Sequence, residues 1–127
     1  MAVTYRIDPD ERIVYLDTTA TPTFEEWHDA MQALLSDPAF ETDFDFLSSR
    51  GPDAGPPTSE FTQKAAAFYR DNQARFGRCR WASVVAGDAT TYDTIRKLAL
   101  MSDGTNIQVM VFRDAEEARR WLLSFRK

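Results

Sequence analysis

A chain of 127 residues, 43% hydrophobic and with three tryptophans, suits one domain spanning 1–127 that buries roughly two-thirds of its unfolded surface. A net charge of −5 argues against nucleic acid as a partner, and no run nears the roughly 18 apolar residues of a membrane span. A single cysteine, Cys79, rules out an internal disulfide, and a single histidine, His28, leaves too few ligands for a His/Cys zinc site.

The start MAVTYRIDPDERIV lacks the basic-then-apolar order of a signal peptide, so a cytoplasmic chain without metal or cofactor is expected. Val3, Tyr5 and Ile7 alternate with polar neighbours and predict a strand. Asp8-Pro9-Asp10-Glu11 reads as a turn, and Arg12 to Asp17 as the returning strand of an antiparallel hairpin. Thr23 and Glu26 have capping-box spacing ahead of a helix whose apolar stripe is Phe24, Trp27, Met31, Leu34 and Leu35. That helix should stop near Ser36-Asp37-Pro38.

Phe44 to Ser48 predicts a short strand, followed by the glycine- and proline-rich loop SRGPDAGPPTS. From Thr58 to about Arg75 the pattern is helical, with Phe61, Ala65, Phe68 and Tyr69 inward and Gly77 beyond its end as a left-handed cap. Trp81 to Ala86 reads as a buried strand. Gly87-Asp88 turns into a third helix with Tyr92, Ile95, Leu98 and Ala99 inward, closing near Gly104. Ile107 to Phe112 is a further strand. Asp114 and Glu117 then open a fourth helix with Ala118, Trp121, Leu122 and Phe125 inward. This alternation predicts an α/β fold: a mostly parallel sheet of about five strands, an N-terminal antiparallel hairpin and four helices.

Charge is unevenly placed along the chain. Residues 1–63 carry a net −10 and residues 64–127 a net +5. Such asymmetry can orient a partner or a second copy, although a scattered solvated surface gives the same totals.

The element order resembles the STAS-type fold of bacterial anti-sigma factor antagonists, in the SpoIIAA-like (STAS/SEC14-like) branch. The resemblance is carried by Thr23-Phe24-Glu25-Glu26-Trp27, Asp37-Pro38-Ala39-Phe40, Arg80-Trp81-Ala82 through Val85, and Val111-Phe112-Arg113-Asp114 with Glu116-Glu117-Ala118 and Trp121-Leu122. It implies a non-catalytic module that docks on a protein partner, such as a kinase-like anti-sigma factor, or on itself. It also implies a phosphorylated Ser or Thr opening the second crossover helix, which places the switch candidates at Thr58 and Ser59. The switch motif itself is absent: Leu47-Ser48-Ser49-Arg50 and Pro57-Thr58-Ser59-Glu60 are separated by Gly51 to Pro56.

In a parallel sheet the strand carboxyl ends and helix amino ends share the edge where ligands bind. That edge should collect Ser48, Ser49 and Arg50, then Gly87, Asp88 and Thr90, and then Arg113. Helix N–H groups there suit an anion, but no P-loop or GxGxxG spacing is present. Thr58, Asp88 and Asp114 serve equally well as N-caps, each worth about 1 kcal/mol.

No catalytic constellation is expected. Cys79 opens a strand, His28 lies mid-helix, and nothing in the sequence brings them together. Asp43 and Asp45 should share the solvent face of their strand. Two functions therefore stand: a protein-interaction module, or a small-ligand carrier or sensor holding a lipid or anion in an enclosed pocket at the strand-end edge.

Overall fold

The structure, a computed structural model, describes residues 2–86, 89–100 and 106–125, with the backbone alone for 98–100. The hairpin forms as β1 (Val3–Asp8) and β2 (Ile13–Thr18). Asp8 shapes the turn between them: its Oδ1 accepts from the backbone N–H of Asp10 and of Glu11, each at 3.0 Å. Helix α1 (Phe24–Leu35) opens with the full capping box. Thr23 Oγ1 accepts from the Glu26 N–H and Glu26 Oε1 from the Thr23 N–H, both at 3.1 Å.

Then follow β3 (Asp45–Arg50), α2 (Ser59–Asp71), α3 (Gln73–Phe76), β4 (Cys79–Val85), α4 (Ala89–Leu100), β5 (Ile107–Phe112) and α5 (Ala115–Leu123). Five helices therefore stand among the described residues where four were expected. The difference is a break at Asn72, whose φ of −115° departs from helical geometry and whose Nδ2 donates to the Phe68 carbonyl at 2.8 Å. A side-chain amide taking a backbone carbonyl ends a helix. The extra turn of α3 carries Phe76 into full burial. Gly77 then reverses the chain at φ 71°, where a Cβ would lie 2.1 Å from Asp43 Oδ1.

The sheet order is β1-β2-β3-β4-β5, antiparallel between β1 and β2 and parallel elsewhere. Each parallel strand lies beside its predecessor in sequence, so the crossover helices gather on one face. Trp27, Met31 and Leu34 of α1, Ala65 and Phe68 of α2, and Phe76 of α3 pack there against Val14, Leu16, Phe46 and Trp81. Helix α5 covers the opposite face, with Ala118 and Leu122 on Ile13, Leu47, Ala82 and Val84. Among the described residues no helix is long and apolar enough to cross a membrane.

Some expectations are corrected. Asp45 is buried, and its Oδ1 accepts from the Arg80 N–H at 2.9 Å. Asp43 sits before the strand at φ 78° and accepts from the Arg78 N–H at 2.8 Å. These carboxylates bind backbone at the start of β4 and share no solvent face. Thr91 is buried, while Tyr92 is only half-buried and Phe125 is exposed. The inward placement of Leu98 and Ala99, and the helix end near Gly104, lie outside the described residues.

Candidate functional site

Strand register sets the site. Ser48 of β3 pairs with Ser83 of β4, Arg50 with Val85, and Thr18 of β2 with Arg50. One strand turn earlier on the same face, Phe46 stacks on Trp81 with ring centroids 4.4 Å apart and planes 8° from parallel. The two central strands thus pass from large rings to small hydroxyls as they approach their carboxyl ends. Helix α2 repeats the pattern above them, with Ala65 and Ala66 between Phe61 and Tyr69.

Edge-to-face ring contacts join that helix to α1 at its side and, through Tyr69, to the sheet below. Trp27 meets Phe61 at 5.6 Å and Tyr69 at 5.7 Å, and Tyr69 meets Trp81 at 5.4 Å. With rings holding the layers apart and small residues between them, a cavity of about 130 Å³ remains. Its walls include Trp27, Phe61, Tyr69, Trp81, Ile95 and Val109, with Thr18, Ser48, Ser49, Arg50 and Ser83 on the sheet.

Among the described residues, Arg50 is the one charged residue lining the cavity. Its Nε donates to the Gly55 carbonyl at 3.0 Å, and its Nη2 donates to the same oxygen. It is half-buried, and burial lowers its pKa from the ordinary arginine value. No carboxylate pairs with it among the described residues. Ser48 Oγ accepts from Trp81 Nε1 at 2.9 Å, which orients the indole.

The loop after β3 is tied down. The Gly51 N–H donates to the Thr18 carbonyl at 2.8 Å and the Gly55 N–H to Thr21 Oγ1 at 2.8 Å, while Ala54 is buried. The loop ends at Thr58, the N-cap of α2, whose Oγ1 accepts from the Phe61 N–H at 3.0 Å. Thr58 and Ser59 are both exposed. The cap therefore holds the turn from which Phe61 enters the cavity wall.

Of the expected edge residues, Ser48, Ser49 and Arg50 come together at the cavity. Thr90 and Arg113 do not line it. Thr90 is exposed in the first turn of α4, and its carbonyl accepts from Thr94 Oγ1 at 2.9 Å. The Arg113 guanidinium lies 4.3 Å from the Tyr92 ring centroid and donates to the Val85 carbonyl at 3.4 Å. Gly87 and Asp88 lie outside the described residues. Sequence reasoning missed Trp27, Ala65, Ala66, Trp81 and Ser83 as walls of a site. One signal was available: Ser83 interrupts the apolar run from Trp81 to Val85, and Ser48 follows directly on Phe46 and Leu47.

Elsewhere, His28 packs on the rings of Phe24 and Phe68 at 5.6 and 5.4 Å. Cys79 is buried, and burial, with Asp45 and Asp43 adding to it, pushes its thiol up to about 12. Among the described residues no group of three or more His, Cys, Asp or Glu is placed to hold a metal ion. Comparison with models of protein families, with curated proteins and with solved structures returns no match.

Proposed function

We propose that this chain is a non-catalytic binding protein that holds a small apolar molecule between its sheet and helix α2, as a carrier or sensor. The cavity carries this reading. Protein interiors pack densely and leave few voids larger than a water molecule. An engineered void of roughly 150 Å³ lined by apolar side chains takes up benzene, and the present cavity of about 130 Å³ is close to that size. Pockets for drug-sized ligands start at roughly 300 Å³. The ligand is therefore scaled to a body of about one ring, and the lipid envisaged from sequence contracts to a far smaller molecule.

Trp27 and Trp81 line the cavity, whereas Trp121 packs on the α5 face. Titration with toluene, followed by ligand-observed NMR and tryptophan fluorescence, should give a saturable response. Ala65→Leu, which places a larger side chain into the space, should remove it. A response identical in the two proteins would sink the reading.

A second reading, a STAS-like module that docks on a protein partner or on itself, draws on one observation. Thr58 and Ser59 are exposed at the start of the crossover helix after β3, where that resemblance puts its switch. Thr58→Glu, a partial substitute for the charge of a phosphate, should release a protein captured by the wild-type chain. Undiminished capture counts against it. Both readings envisage a cytoplasmic protein working without cofactor or metal.

A further inference from the structure

Resting on that reading of the cavity, we propose that its ligand is a small monocarboxylate: the apolar body lies among the rings and the carboxylate pairs with Arg50. Trp27, Phe61, Tyr69 and Trp81 bring four aromatic side chains to the cavity, and Arg50 brings the one charge among the described residues. A half-buried guanidinium beside apolar walls loses hydration, and such a loss is offset by an anion held close. Desolvation is the cause of its lowered pKa, and no neighbouring carboxylate among the described residues opposes it.

The hydrogen bonds of Arg50 point the same way. Nε and Nη2 share the Gly55 carbonyl, which fixes the plane of the guanidinium. The remaining donors on Nη1 and Nη2 have no partner among the described residues. Two parallel N–H groups on that edge match the two oxygens of a carboxylate. Thr18, Ser48 and Ser83 line the same end of the cavity and supply hydroxyls. A single cation among the described walls suits a monoanion better than a dianionic phosphate, whose second charge it would leave uncompensated beside apolar side chains.

The test compares benzoate with benzamide, its neutral counterpart of the same shape, by calorimetry and ligand-observed NMR on the intact chain. A charge-assisted pair should make benzoate bind about ten- to hundredfold more tightly. Arg50→Gln should erase that preference while leaving benzamide affinity within about twofold. Arg113→Gln, at a residue outside the cavity, should keep the preference. Equal binding of acid and amide by the wild-type chain would overturn the carboxylate assignment while leaving the cavity reading in place. Failure of both to bind overturns the two together. Phenyl phosphate binding more tightly than benzoate also overturns the assignment. The wild-type comparison stands on its own if Arg50→Gln does not fold.

Discussion

On the α5 side of the sheet, Ala82 and Ala118 meet with 0% exposure each, and Leu122 closes over them. On the other side Ala65 and Ala66 face Ser48 and Ser83, and the space between them stays open. Similar side-chain sizes thus produce contact in one place and a void in the other. The difference lies in the neighbours. Helix α5 brings Ala118 and Leu122 onto the sheet with no ring between Ala118 and Ala82. On α2, by contrast, the Tyr69 ring stands on Trp81 of the sheet, and Trp27 of the neighbouring α1 packs beside Phe61 and Tyr69. A small residue is a means of close approach only where nothing beside it props the layers apart.

Substitutions on the two faces should therefore part company. Leu122→Ala, at a fully buried site on the settled face, should cost about 2–5 kcal/mol in urea unfolding. Ala82→Val on that face should overpack it and cost about 1–3 kcal/mol. The adjacent Ser83→Val points into the cavity, and should instead raise stability by about 1 kcal/mol while abolishing ligand uptake. A destabilising Ser83→Val would mean that the space is not there to be filled.

The smallest effect is silent at neutral pH. Burial raises the Tyr69 hydroxyl beyond its usual range and lifts the Cys79 thiol from 9.0 to about 12. Both groups bind protons more tightly folded than unfolded. The stability they support is thus intact below pH 9 and is lost as pH climbs towards about 12. Urea midpoints should hold steady from neutrality to about pH 9 and fall above it, with a shallower fall for Cys79→Ala.

Local signals were legible in the sequence. Thr23 and Glu26 announced α1 because a capping box is written within four residues, and Ile107 to Phe112 announced β5 because five of its six residues are apolar and Gln108 alone is polar. The break at Asn72 was hidden by helical periodicity that continues through it. Asp43 and Asp45 misled because strand alternation says nothing of two backbone N–H groups, at Arg78 and Arg80, arriving from far along the chain. The cavity was least legible of all. It depends on Ser48 meeting Ser83 and on α2 being propped above both, and such relations between layers leave no pattern within any one segment. Arg50 was chosen as an edge residue, yet its tether to Gly55 and its lack of a counter-ion among the described residues emerge only from the folded chain.

The strand order also bears on biosynthesis. Since every strand pairs with the one made just before it, the sheet can grow edge by edge as the chain leaves the ribosome, at roughly 5–20 residues per second. The crossover helices cover their face as they emerge. The far face has no such cover: Ile13, Leu47, Ala82 and Val84 wait for α5, which follows all five strands. Until that one helix arrives, these four side chains stay open to water and to the wrong partners.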